Sequence, residues 1–140
     1  MKPGLVIVNY RVAHWCFEHH LKLLAKLVYY WNLILTNCAI PPQVKMGEGC
    51  RVTHGVGIVL HQQTEIGRNT TICQNCSIVA DKVIVGDNCL LGAGAVIIGP
   101  VIIGNNVKIG ANTVVNFNVP DDSTVVGGAL GRIILREDKG

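Results

Sequence analysis

Ile103-Gly104-Asn105-Asn106-Val107-Lys108-Ile109-Gly110-Ala111-Asn112-Thr113-Val114-Val115 places an aliphatic residue at every sixth position, with Gly after Ile103 and after Ile109. A spacing of six matches neither the 3.6 period of a helix nor the alternation of a strand. It suits a coil built from a short flat side and a tight corner. The aliphatic points inward and stacks on its equivalent in the next coil. The following Gly or polar residue sits at the corner, where positive φ or close approach is cheap for Gly.

The same period extends outward in both directions. Val85, Leu91 and Ile97 lead into Ile103, Ile109 and Val115. One residue out of phase stand Leu60, Ile66, Ile72, Ile78 and Ile84, and two further out stand Ile40, Met46, Val52 and Ile58. Gly follows the aliphatic at Gly47, Gly67, Gly86, Gly92, Gly104 and Gly110. Four residues beyond the aliphatic, a small or β-branched residue recurs: Val44, Cys50, Val56, Thr70, Cys76, Cys89, Ala95, Val101, Val107, Thr113 and Val119. Three such units close a triangular turn of about 18 residues, so residues 40–119 make between four and five coils. The pattern predicts a mainly β chain folded as a parallel β-helix. Cys50, Cys76 and Cys89 then fill the interior as inert thiols.

Before the repeats, residues 14–35 have helical character, with Leu21, Leu24, Leu27, Val28 and Trp31 at spacings of three and four. Pro41 and Pro42 end that helix. Packing on the chain's own domain or on a partner subunit is its expected role. A membrane surface is the alternative, since Trp, Tyr and Lys are all present. The expected division is a helical segment over 1–39, a β-helix over 40–122 and a tail over 123–140 that covers the last coil.

Composition narrows the function classes. The 140 residues are 49% hydrophobic and 15% charged, with a net charge of +3 and 16 glycines, too apolar for a disordered chain. The basic residues form no run, so no nucleic-acid partner is expected. Lys22, Lys26 and Asn32 interrupt the most apolar window, so no transmembrane segment is expected. The start lacks the layout of a secretory signal, which predicts a cytoplasmic protein with reduced thiols. Cys73 and Cys76 form a single Cys-x-x-Cys pair, short of the two pairs a zinc ribbon needs.

The stretch Ile66-Gly67-Arg68-Asn69, Val85-Gly86-Asp87-Asn88, Leu91-Gly92-Ala93-Gly94-Ala95 and the Ile103–Asn112 repeat together resemble the hexapeptide acyltransferases. Within that superfamily, His54-Gly55-Val56-Gly57-Ile58-Val59-Leu60-His61 is similar to the His motif of serine acetyltransferases. The segment Val119-Pro120-Asp121-Asp122-Ser123-Thr124-Val125-Val126-Gly127 and the helical entry near Asn9 and Tyr10 are similar too. The resemblance implies a left-handed parallel β-helix, a homotrimer, and active sites between neighbouring subunits with acetyl-CoA along the helix. It implies His54 as general base, taking the proton of a hydroxyl as its oxygen attacks the thioester; imidazole, with a pKa near 6.5, suits that role. It places the CoA thiol arm at Ala93 and Ala111. Lys108 and Arg132 are candidates for the CoA phosphates, and His61 is a candidate for the acceptor site.

Departures from the family pattern bear on the acceptor. Asp residues usual in the family are replaced by Thr53 and Ala39, Lys82 falls near the place of a second His, and Gly128-Ala129-Leu130-Gly131-Arg132 replaces a Gly-Val-Pro-Ala-Arg ending. Serine and a sugar hydroxyl therefore both stand as acceptors, and a trimeric homologue without chemistry is a third reading. A zinc enzyme like the γ-class carbonic anhydrases needs three His ligands. The repeats hold only His54 and His61, so no metal is expected.

Overall fold

The computed structural model describes residues 4–127 and 132–135. Two helices, α1 (Leu5–Glu18) and α2 (Lys22–Thr36), precede the repeats. The first coil carries β1 (Lys45–Met46), β2 (Arg51–Val52) and β3 (Val59–Leu60). The second carries β4 (Glu65–Ile66), β5 (Thr71–Ile72) and β6 (Ser77–Val79), and the third β7 (Val83–Val85), β8 (Leu90–Leu91) and β9 (Val96–Ile98). The fourth carries β10 (Val101–Ile103), β11 (Lys108–Ile109) and β12 (Val114–Val115). β13 (Ser123–Val126) stacks in parallel on β11, and β14 (Arg132–Leu135) folds back antiparallel on β13.

Three sheets form the faces of a parallel β-helix of about four coils. The first face joins β1, β4, β7 and β10; the second joins β2, β5, β8, β11, β13 and β14; the third joins β3, β6, β9 and β12. The aliphatic columns run straight down these faces. Val52, partly buried, sits on Ile72, Ile72 on Leu91, and Leu91 on Ile109, the last three inside the core. A second column lies two residues earlier on each side: Val44, Cys50, Ile58, Thr64, Thr70, Cys76, Val83, Cys89, Ala95, Val101, Val107 and Thr113 are all buried. Burial raises the thiols of Cys50 and Cys89, and pushes that of Cys76 up to about 12. These three cysteines are unreactive interior residues, and all six cysteines of the chain are free.

The structure corrects the repeat assignment at two places. Leu60, not Ile58, continues the column of Ile40, because Ala39 bridges Val59; Ile58 takes the small interior position and Val56 is exposed. Likewise Val85 rather than Ile84 faces the core. At the corners, close approach is the one of the two expected reasons for Gly that applies. The Gly after each aliphatic does not take positive φ; it gives way to the next coil. A Cβ on Gly92 would lie 2.6 Å from the Ile109 carbonyl oxygen and 2.7 Å from the Ala111 nitrogen. The left-handed turn falls two residues later, at Asn69, Asn88 and Asn106 on one edge and at Asn75, Gly94 and Asn112 on another. Asn and Gly are the residues that tolerate this conformation.

The helical segment also differs: two helices stand where one was expected, broken at His19–Leu21, with His20 at φ 61. Helix α1 hid its period because it is apolar on opposite sides. Val6, Ile7, Tyr10 and Ala13 are buried, while Leu5, Val8, Val12 and Trp15 are exposed. Its polar side chains cap the free end of the solenoid. Tyr10 donates to the Val44 carbonyl, Arg11 to those of Met46 and Gly47, and His14 Nδ1 to that of Pro42. Without them, carbonyls of the first coil would lack partners, each costing about 1–3 kcal/mol if buried.

Burial pushes the Tyr10 phenol up to about 12, partly offset by the charge of Arg11. The folded state thus favours the neutral phenol. Its contribution is complete below pH about 10, and is lost as pH rises through about 12, because the unfolded chain ionises first. Tyr10→Phe is therefore expected to show a shallower loss of stability than the parent between about pH 10 and 12, measured by denaturant midpoints. Equal slopes would refute the coupling.

Candidate active site

Three edges separate the faces, and the edge between the second and third faces holds His54, Ala93 and Ala111. Its regular turn is visible in three coils. Cys73 N donates to the Leu91 carbonyl, Gly94 N to that of Gln74, and Asn112 N to that of Ala93. In the first coil Thr53 N donates to the Ile72 carbonyl, and Asn75 N to that of Val56. Thr53 thus matches Cys73, and Val56 matches Gln74, Ala93 and Ala111. Two residues remain with no equivalent: His54 and Gly55. The phase slip of two seen in the repeats is this insertion, and the coil from Val52 to Ile72 is correspondingly longer than that from Leu91 to Ile109.

The insertion is extruded on left-handed backbone. His54 has φ 61 and Gly55 φ 49, with Gly57 at φ 68 closing the turn. A non-Gly residue held there is sparsely populated, and such conformations concentrate at functional sites. Below the loop lies the start of α1; a Cβ on Gly55 would come within 2.8 Å of Val6 Cγ2. Only Gly fits between them. The His54 side chain is exposed.

Ala93 and Ala111 follow on the same edge, two and three coils beyond His54, half-buried and exposed respectively. With strands stacked about 4.8 Å apart, His54 and Ala111 lie roughly 14 Å apart along the edge. Gln74 and the half-buried Cys73 occupy the coil between, and sequence reasoning singled out neither as part of this edge. Their common register with Ala93 would have been the signal. Lys108 is exposed on the second face, opposite Leu90 and Thr124 and three residues before Ala111. Arg132 is in β14, opposite Val126, and its side chain lies outside the described residues, as do Gly128 to Gly131.

His61 is not on this edge. It sits where the third face turns to the first, half-buried, its Nδ1 accepting from the Gln63 backbone N at 3.3 Å. Lys82 occupies the same edge one coil on, paired with Glu65 at 3.0 Å; that lysine and Lys45 hold the Glu65 carboxyl below its usual range. Within the chain, then, His54, Ala93 and Ala111 share an edge with Lys108 beside it, and His61 stands across the third face.

The model of the bacterial transferase hexapeptide family (six repeats) matches residues 82–116. The serine acetyltransferase of Helicobacter pylori (strain 26695) is 32% identical over 133 residues, which cover 89% of this chain and 78% of that protein. The chain belongs to the serine acetyltransferase family. The serine acetyltransferase of Synechococcus elongatus is 35% identical, over 96% of this chain and 58% of the relative. The chain therefore spans somewhat over half the length of that family member. Among solved members, a serine acetyltransferase in complex with CoA superposes with a TM-score of 0.87 at 31% identity, covering 92% of this chain and 55% of that one. The Neisseria gonorrhoeae serine acetyltransferase in complex with serine gives 0.85 at 29%, covering 91% and 54%.

Proposed function

We propose that the chain is an acetyl-CoA-dependent O-acetyltransferase in which His54 is the general base. The observation that carries this reading is the extruded His54-Gly55 insertion, on the same edge as the small side chains of Ala93 and Ala111. The edge offers an extended thioester arm a track of backbone and methyl groups, with Lys108 beside it for a phosphate. At its first coil the imidazole removes the acceptor O–H proton. The oxygen attacks the thioester carbonyl, and the tetrahedral oxyanion collapses with loss of the CoA thiolate. The imidazolium returns its proton to that sulfur. The transfer is direct, without an acyl-enzyme: Cys50, Cys76 and Cys89 are buried, and the half-buried Cys73 sits in no recognised nucleophile motif. Solved family members bound to CoA and to serine support the substrate classes.

The third face supports the trimer. Its outward side chains Val59, Val79, Val96, Ile98 and Val114, with Ser77 among them, make a mainly aliphatic surface that a neighbouring solenoid would cover. Packing of that kind would let His61 of one subunit line the acceptor site of the next. A sugar hydroxyl is the second reading of the acceptor. It rests on Ala39 and Thr53, which offer no carboxylate to an ammonium group. Acetyl-CoA thiol release, measured with serine and with a sugar panel, separates the two. Absence of acceptor-dependent release with every one of them would sink the enzyme reading, and a folded chain that binds no CoA by calorimetry would leave a scaffold.

Substitution at Ala111 isolates the cofactor track. Ala111→Leu places a branched side chain on an exposed corner and leaves the core untouched. It should weaken CoA binding about tenfold or more, roughly 1.4 kcal/mol, while His54 stays in place. Unchanged CoA affinity in calorimetry would move the cofactor off this edge.

A further inference from the structure

Helices α1 and α2 turn most of their large apolar side chains away from the solenoid. On α1, Leu5, Val8, Val12 and Trp15 form one exposed stripe at spacings of three and four. On α2, only Ala25 and Asn32 are fully buried. Leu23, Leu27, Trp31 and Ile34 are 74%, 58%, 59% and 78% exposed, and Leu24, Tyr30 and Leu35 flank them. Soluble monomers rarely expose an apolar surface this continuous. No helix of the described residues is long and apolar enough to cross a membrane.

Charge selects the occupant. Lys22 and Lys26 stand one turn apart on the flank of α2, beside a cleft shared with Phe17, Tyr29, Tyr30 and Pro42 that contains no carboxylate. Glu18 is the one acid on either helix, against Arg11, Lys22 and Lys26. A second copy would bring the same basic flank to the contact, with Glu18 as the one acid to set against it. An anionic bilayer offers phosphates to the ammonium groups and an acyl boundary to the apolar stripe. Trp15, Trp31, Tyr29 and Tyr30 are the residue types that settle at that boundary.

We propose that the α1–α2 hairpin docks the protein onto an anionic phospholipid surface, lying in the interface plane with Lys22 and Lys26 at the phosphates. This docking stands apart from acetyl transfer, and its test reads no activity. The full chain is sedimented with vesicles of phosphatidylglycerol and phosphatidylcholine, and with phosphatidylcholine alone. It should bind the anionic vesicles and fall by about tenfold or more at high salt or in the Lys22→Glu, Lys26→Glu double variant. Leu27→Glu with Ile34→Glu should abolish binding while circular dichroism stays unchanged, since both side chains are outside the core. Brominated lipid should quench the fluorescence of Trp15 and Trp31. Equal recovery with neutral and anionic vesicles, or no quenching, overturns the proposal. So does light scattering that shows hairpin-dependent pairing of assemblies that stay free of vesicles, which would make a second copy the occupant.

Discussion

His54→Ala should lower acceptor-dependent thiol release by roughly 10²–10⁴-fold, the range for loss of a general base. It should do so without unfolding the protein. The side chain is exposed, and exposed substitutions usually change stability by no more than about 0.5 kcal/mol. Relief of the left-handed backbone is a separate matter, and His54→Gly controls for it. Glycine removes the imidazole yet accepts φ 61 freely. Both variants should lose turnover alike and keep their CoA affinity, because the cofactor track is assigned to Ala93 and Ala111. A His54→Ala enzyme with near-parental turnover would refute the base assignment, whatever the fold resembles.

Leu91→Ala should cause the largest loss of stability, about 2–5 kcal/mol. Leu91 is fully buried on the second face between Ile72 and Ile109, so truncation opens a void that two stacked coils must share. Backbone ladders above and below hold the coils at fixed spacing, which leaves little room for collapse into the gap. Leu90→Ala, one residue earlier, is the matched control. That side chain points outward on the same strand and should lose far less. Chemical denaturation of the two variants checks the contrast. Equal losses would mean that the inside and outside of β8 are misassigned.

The inside of the solenoid was legible because each coil repeats one physical requirement. An aliphatic every sixth residue, from Met46 to Val115, marks the columns without reference to any relative. What the period could not place was the insertion. Val52 and Ile58 are six apart, so the sequence period runs on through them, and the slip is assigned one side too late. Ile58 two residues before Leu60 repeats the spacing of Cys76 before Ile78, and that small-then-large pair would have located it. Helix α1 lay within the helical segment expected over 1–39, but its own bounds were hidden because apolar residues on opposite sides erase a helical period. The role of the corner glycines was legible only in part. Sequence shows that Gly is required after the aliphatic, but close approach and positive φ leave the same trace in it. His54 stood out through its motif, whereas Gln74 and Cys73 joined the edge only once the coils were in register.

The extruded pair at His54-Gly55 also bears on how such a protein can change over generations. Each coil of a solenoid leans on its immediate neighbours and on little else, so extra residues at one corner are absorbed there. The columns of Ile72, Leu91 and Ile109 continue undisturbed beyond the longer coil. Loop length adds to the entropy of folding only slowly. Reactive groups can therefore be added to, or deleted from, a single edge while the architecture is inherited intact. Substrate preference in such a chain is free to drift by small indels, without renegotiating the packing that keeps it folded.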